Sequence, residues 1–346
     1  MIFFQPIKIT VYQRTNKFIK MRNIHIDLLK GFAIVLVVVG HSIQTLTNDD
    51  LENPLFKFIY AFHMPLFMFL SGYVCFKPQG EKYINLKKRF KTLIIPFFVW
   101  WIISDIYAFL FHKDIISLID LLANPDKGLW FLWVLFFLCA FLQISFTISK
   151  KYEEIVMFLI IICLAIIHFT PYGRYLGISL MLWYIVFFSF GYIFHKHENL
   201  FSPYRHFWGV ISILIFSFTV PFWHFGSSFT FMESYSFPTW SKSVLYLFFR
   251  YLIPISGILS FYYIFNLFSF QRIWIKLILY IAPITLEIYA IHYYFLYLFH
   301  SILLEANSTN LYLKVVLLSF IALMGSLFVQ KLISKNKYIN RLFFGK

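Results

Sequence analysis

The feature that most constrains this chain is a succession of long apolar stretches separated by short connections that hold most of its basic residues. A hydrocarbon core takes about 20 apolar residues per helix. Ten stretches approach or meet that length: 28–46, 55–76, 93–111, 129–148, 155–169, 176–194, 207–223, 244–268, 277–299 and 311–333. They are apolar all round rather than at every second position, which excludes a transmembrane barrel. Charged residues make up 13% of the chain, against about a quarter in soluble domains. With 60% of residues hydrophobic, disorder is excluded as well. The predicted fold class is all-α, a polytopic membrane protein of about ten transmembrane helices.

Lys and Arg stay in cytoplasmic loops. Of the 30 in this chain, 23 fall in the N-terminal segment, every second connection and the C-terminal segment. That pattern predicts cytoplasmic termini and a place in the cytoplasmic (inner) cell membrane. It also accounts for the formal net charge of +15 without a nucleic-acid partner. Residues 1–22 read as an N-terminal cytoplasmic extension, 23–335 as one membrane domain and 336–346 as a cytoplasmic tail. No cleavable signal peptide is expected, because the first residues lack an apolar core followed by a small-residue cleavage site, and Met21 reads as a second plausible start. Cys75, Cys139 and Cys163 lie in or at the end of apolar runs with no CxxC or Cys/His spacing, and read as packing residues. The histidines are dispersed over different spans, so no metal site is expected.

Titratable groups within a span are costly and mark function by default. Here they are His41, His63, Asp105, Arg250, Glu287 and His292. Counting about 1.5 Å per residue from the span ends places all six between the midplane and the outer half of the membrane, so a shared polar cavity is expected. Asp105 and Arg250 have opposite charge and are read either as a structural pair or as part of that cavity. Lys57 and Lys314, near span ends, snorkel to the interface. Lys30 and His41, eleven residues apart, share a helix face and stand about 16 Å apart along it. One groove can therefore run from a cation at the cytoplasmic edge to an imidazole deep inside, and Asp27 is placed to pair with Lys30. Glu287 and His292 are about 140° apart around their helix, so only one of them faces the cavity. His292, on the face of Thr285 and Tyr289, is the stronger candidate.

Three blocks of the sequence resemble the membrane acyltransferase 3 family, in its branch of fucose 4-O-acetylase-like and related sugar O-acetyltransferases. The first is RNIHIDLLKGFAIVLVVVGHS, with Lys30 and His41. The second is FIYAFHMPLFMFLSGYVCF, with His63, Pro65, Ser71 and Gly72, followed by KKRFKTLIIPFF. The third is ITLEIYAIH, with Glu287, Tyr289 and His292. The ten-span layout extends the resemblance over nearly the whole chain. One departure stands out: where the family often has a second arginine three residues after the first, Thr92 follows Arg89. The resemblance implies transfer of an acetyl or other acyl group from cytoplasmic acetyl-CoA (acyl-CoA) to a hydroxyl of a cell-surface or lipid-linked glycan. It also implies that His41 is the key catalytic residue.

The chemistry suits these residues. Removing a hydroxyl proton near neutral pH calls for a base such as imidazole, and His41 either activates the acceptor or carries the acyl group itself. His63, His292 and Arg250 are candidate donors to the developing oxyanion, and Glu287 completes the candidate catalytic set. Lys30, Lys87, Lys88, Arg89 and Lys91 form a cation field for the phosphates of acyl-CoA. Asp27, Arg250 and Asp105 are further binding candidates. Acyl-CoA is expected as a co-substrate, with no bound cofactor, and membrane lipids as surroundings. The rival reading is a proton-coupled transporter or flippase for a glycan-related substrate, whose midplane charges bind cargo. No internal repeat supports that reading.

Overall fold

The computed structural model describes residues 23–47, 49–78, 82–111, 114–224, 239–267, 273–305 and 310–346; the N-terminal extension read at 1–22 lies outside them. Among the described residues every regular element is helical. In chain order these are α1 (Ile24–Leu46), α2 (Pro54–Tyr60), α3 (His63–Tyr73), α4 (Leu86–Arg89), a π-helical turn (Phe90–Ile94), α5 (Ile95–Leu110), α6 (Leu118–Ala123), α7 (Trp130–Ile148), α8 (Glu153–His168), α9 (Ile178–Lys196), α10 (Glu198–Phe201), α11 (Arg205–Thr219), α12 (Thr239–Leu267), α13 (Ile273–Ile281), α14 (Thr285–Glu305), α15 (Leu311–Ser334) and α16 (Lys337–Phe344). Short 3₁₀ turns join several of them.

Nine helical stretches among the described residues are long and apolar enough to cross a membrane. The remaining expected span is α8, whose 16 residues reach about 24 Å against a core of about 30 Å. It packs between α7 and α9 and turns Phe158, Leu159 and Ile166 outward, as a lipid-facing helix does. The chain is a multi-pass membrane protein.

Prolines set the breaks within spans. Pro65 has no N–H for the carbonyl of Ala61; α2 ends there and α3 restarts at His63. Pro96 cannot bond back to Thr92, and the helix widens so that the Ile95 N–H reaches the carbonyl of Phe90. Pro283 occupies the 3₁₀ turn between α13 and α14.

α1 lies at the centre, touching α2, α3, α12, α13, α14 and α15. α3 and α9 meet backbone to backbone: a side chain on Gly72 would strike the Phe188 carbonyl, and one on Gly191 the Phe69 carbonyl. Close approach at small residues is how helices associate where lipid offers no hydrophobic drive.

Polar contacts join the helix ends along one rim. Lys82 donates to the Lys150 carbonyl at 2.6 Å and to Glu153 at 2.7 Å, and Lys196 donates to Glu153 at 2.9 Å. The Tyr73 and Tyr262 hydroxyls donate to Glu198 at 3.1 and 3.0 Å. Burial works to raise the Glu153 carboxyl, but the hydrogen bonds from Lys82 and Lys196 override it and hold the group at about 2. These are the connections that carry most of the Lys and Arg, and this is the basic rim. Residues 336–346, read as a tail, form α16 with Asn336 as its cap. Phe344 is buried, and the Trp100 indole N–H donates to the Phe343 carbonyl at 2.9 Å.

Candidate active site

His41 lies seventeen residues into α1, about 26 Å along the helix. Its neighbour Gly40 has no side chain, and a Cβ there would stand 2.8 Å from the Tyr60 ring. The Tyr60 hydroxyl can therefore come within 3.0 Å of His41 Nδ1 while donating to Gln44 Oε1 at 2.5 Å. Gln44, one helical turn beyond His41, has its Oε1 2.8 Å from His41 Nδ1. From α14, the Tyr293 hydroxyl lies 2.7 Å from Nδ1 and 3.1 Å from Nε2. A ring whose Nδ1–H donates to the carboxamide oxygen keeps its lone pair on Nε2, the nitrogen available as a base. His41 is only half-buried.

Two further imidazoles flank this group. His292, on α14, has its ring centroid 5.4 Å from that of His41 and is fully buried. Its Nδ1–H donates to the Ile288 carbonyl at 2.9 Å, and its Nε2 is sealed without a partner. His63, 3% exposed, heads α3 at the proline-induced break. Its ring lies 4.7 Å from that of Tyr60, and its Nδ1–H donates to the Ile59 carbonyl at 2.8 Å. Both rings have committed their N–H, so in the neutral form each presents a lone pair and neither is set to donate to an oxyanion. With the Tyr60 hydroxyl committed to Gln44, the donor adjacent to His41 is instead the hydroxyl of Tyr293.

A family model described as an acyltransferase domain matches residues 23–330. The chain belongs to the acyltransferase 3 family. It is also similar to two proteins named nodulation protein NolL. The one from Mesorhizobium japonicum (strain LMG 29417 / CECT 9101 / MAFF 303099) is 30% identical over 139 residues, covering 37% of each chain. The one from Sinorhizobium fredii (strain NBRC 101917 / NGR234) is 31% identical over 174 residues, 44% of this chain and 46% of that one. The match spans less than half the length of either relative. No solved structure matches the chain.

Of the acyltransferase 3 blocks, the first and third converge on His41 and His292, with His63 of the second block beside them. The other candidates lie elsewhere. Glu287 is buried, but it accepts from Lys346, which also donates to the Pro283 carbonyl at 2.7 Å; the expected divergence of Glu287 and His292 around α14 is what the fold shows. Asp27 and Lys30 are half-buried on the first turns of α1, Lys88 is exposed on α4 and Arg89 half-buried beside it. The alternative of an Asp105–Arg250 pair is corrected: Asp105 accepts from the Ile116 N–H at 3.0 Å and holds the connection after α5. Arg250 lies 4.1 Å from the Trp183 ring and donates to the Tyr246 hydroxyl. Equal depth fixes level, not direction around a helix, and these two side chains point to different neighbours. The shared layer of six groups is thus a core of three histidines. Gln44, Tyr60 and Tyr293 were not among the sequence candidates; Gln44 was within reach as the residue one turn from His41.

Proposed function

We propose that this chain is an O-acyltransferase of the cytoplasmic membrane that moves an acetyl or other acyl group from acyl-CoA, bound at a cytoplasmic basic rim, to a hydroxyl of a surface or lipid-linked glycan. The observation that carries the reading is the His41 imidazole, oriented by Gln44 and flanked by two tyrosine hydroxyls, in a chain of the acyltransferase 3 family. Lys30, Lys87, Lys88, Arg89 and Lys91 supply the charge for the CoA phosphates. As the acceptor oxygen attacks the thioester carbonyl, its proton passes to His41 Nε2. The Tyr293 hydroxyl turns to the oxyanion. Collapse of the tetrahedral intermediate breaks the carbon–sulfur bond, and the departing thiolate takes the proton from Nε2, leaving the ester and free CoA. His292 packs beside His41 and His63 beside Tyr60, and Glu287, tied to Lys346, holds α14 in register. The transporter reading rests on midplane charges that bind cargo and couple protons, and two of these, Asp105 and Arg250, have separate partners.

The test is acyl transfer in isolated membranes with acetyl-CoA labelled in the acetyl group. Label enters the glycan fraction with the wild-type protein and not with His41→Ala at equal expression. Absence of label with the wild type, across several acyl-CoA donors and with the native glycan present, contradicts the proposal.

A further inference from the structure

Arg250 is a cation within a span that the reaction above leaves unused. Its guanidinium lies 4.1 Å from the Trp183 ring centroid and 5.3 Å from that of Tyr246, to whose hydroxyl it donates. Tyr251 braces Trp183 from a centroid distance of 4.8 Å. Among the described residues no carboxylate pairs with Arg250, and Asp105 is committed to the Ile116 backbone. Arginine has five N–H donors, one of which goes to the Tyr246 hydroxyl, and Arg250 is only half-buried. Burying a charge in a span without a counter-ion is costly. That cost is met when a ligand brings the opposite charge.

The position suits a second substrate. Arg250 stands seventeen residues from the end of α12, as His41 does from the start of α1. Those two ends meet, the His25 ring nitrogen lying 3.4 Å from the Phe265 carbonyl. Both groups therefore stand at about 26 Å from the basic rim. Aromatic rings connect them: Trp183 to Tyr184 at 6.2 Å, Tyr184 stacked on Trp130 at 4.8 Å, and, further on, Tyr289 to His292 at 6.2 Å.

We propose that Arg250, held by Trp183 and Tyr246, binds an anionic oxygen group, phosphate or carboxylate, of the glycan acceptor. The proposal rests on the acyl-transfer reading for the identity of the ligand, though not for the binding itself. A guanidinium is planar, weakly hydrated and matched to two oxygens of such a group. The aromatic flanks hold it from two sides, and no carboxylate among the described residues pairs with it.

The test measures binding to the full-length protein in neutral detergent, using farnesyl diphosphate, a glucuronate-containing disaccharide, farnesol and phosphatidylglycerol as probes. At least one of the first two binds the wild type and loses about tenfold or more in affinity with Arg250→Gln, with part of the loss restored by Arg250→Lys. Farnesol is unaffected by either change. Loss confined to farnesyl diphosphate assigns the anion to a lipid-phosphate carrier, and loss confined to the disaccharide assigns it to the glycan. Equal dependence of phosphatidylglycerol on Arg250, or no difference between Arg250→Gln and wild type with any probe, overturns the proposal. Thermal unfolding of Arg250→Lys at the wild-type midpoint shows that fold is not the cause. His41→Ala keeps the Arg250-dependent binding, so failure of acyl transfer is distinguishable from failure of this site.

Discussion

A histidine serves as a base at one ring nitrogen only when the other is committed, and in α1 that commitment is made one turn further on. Gln44 accepts from His41 Nδ1–H at 2.8 Å, so Gln44→Ala is expected to lower kcat about tenfold, the value of one hydrogen bond, with KM nearly unchanged. Tyr293→Phe removes the hydroxyl nearest Nε2 and is expected to cost about 100-fold in kcat, as loss of an oxyanion donor does. Single-turnover ester formation measures both; a rate within twofold of wild type for either variant removes that residue from the account. At this scale the sequence was informative about which groups are costly in a membrane and silent about which groups meet. His41 and His292 stand out by charge and depth, whereas Tyr293 is one of 23 tyrosines and reaches His41 across 252 residues of chain. Arg250 shows the same limit, since its aromatic neighbours come from two helices.

Helices in this protein are shaped by where proline and glycine fall. Residues 55–76 and 277–299 read in sequence as unbroken spans, so the breaks at Pro65 and Pro283, like the widened turn before Pro96 and the docking of α16, came only with the packed structure. At the α3–α9 contact, Gly72→Ala places a methyl group against the Phe188 carbonyl and is expected to destabilise the protein by about 1–3 kcal/mol, seen as a lowered unfolding midpoint in detergent. An unchanged midpoint would mean that the two backbones are not in contact. At the basic rim, Glu153 sits just outside α8's apolar run, with its carboxyl held at about 2 from an ordinary value of 4.5. A carboxyl lowered in the folded state gives stability that is present above the ordinary value and lost as pH falls toward the folded one. The difference in unfolding midpoint between wild type and Glu153→Gln should therefore be largest above about pH 5 and shrink between about pH 4.5 and 2. A difference independent of pH across that window would contradict the Lys82–Glu153–Lys196 clamp.

Across the whole molecule, apolar runs and the placement of Lys and Arg made the all-helical architecture legible, because length and hydrophobicity alone decide whether a segment can span a membrane. α8 fell short of a full crossing by length, and the grouping of Gln44, Tyr60 and Tyr293 around His41 emerges only when α1, α2 and α14 are packed together. The proposed orientation predicts opposite accessibility for the two rims. With cysteines introduced singly at Lys88 and Asp126 in a background lacking native cysteines, an impermeant maleimide should label Asp126→Cys in intact cells and Lys88→Cys only after the cells are opened. The reverse pattern would place the acyl donor's entry on the outer side. The central claim is that His41 carries the transfer. Its most direct measurement is ester formation by purified protein in proteoliposomes given acetyl-CoA and the glycan acceptor, comparing wild type with a His41→Ala variant of matched unfolding midpoint. A fall of at least about 100-fold is expected for loss of the general base, and ester formation by His41→Ala within a few-fold of wild type would contradict the claim.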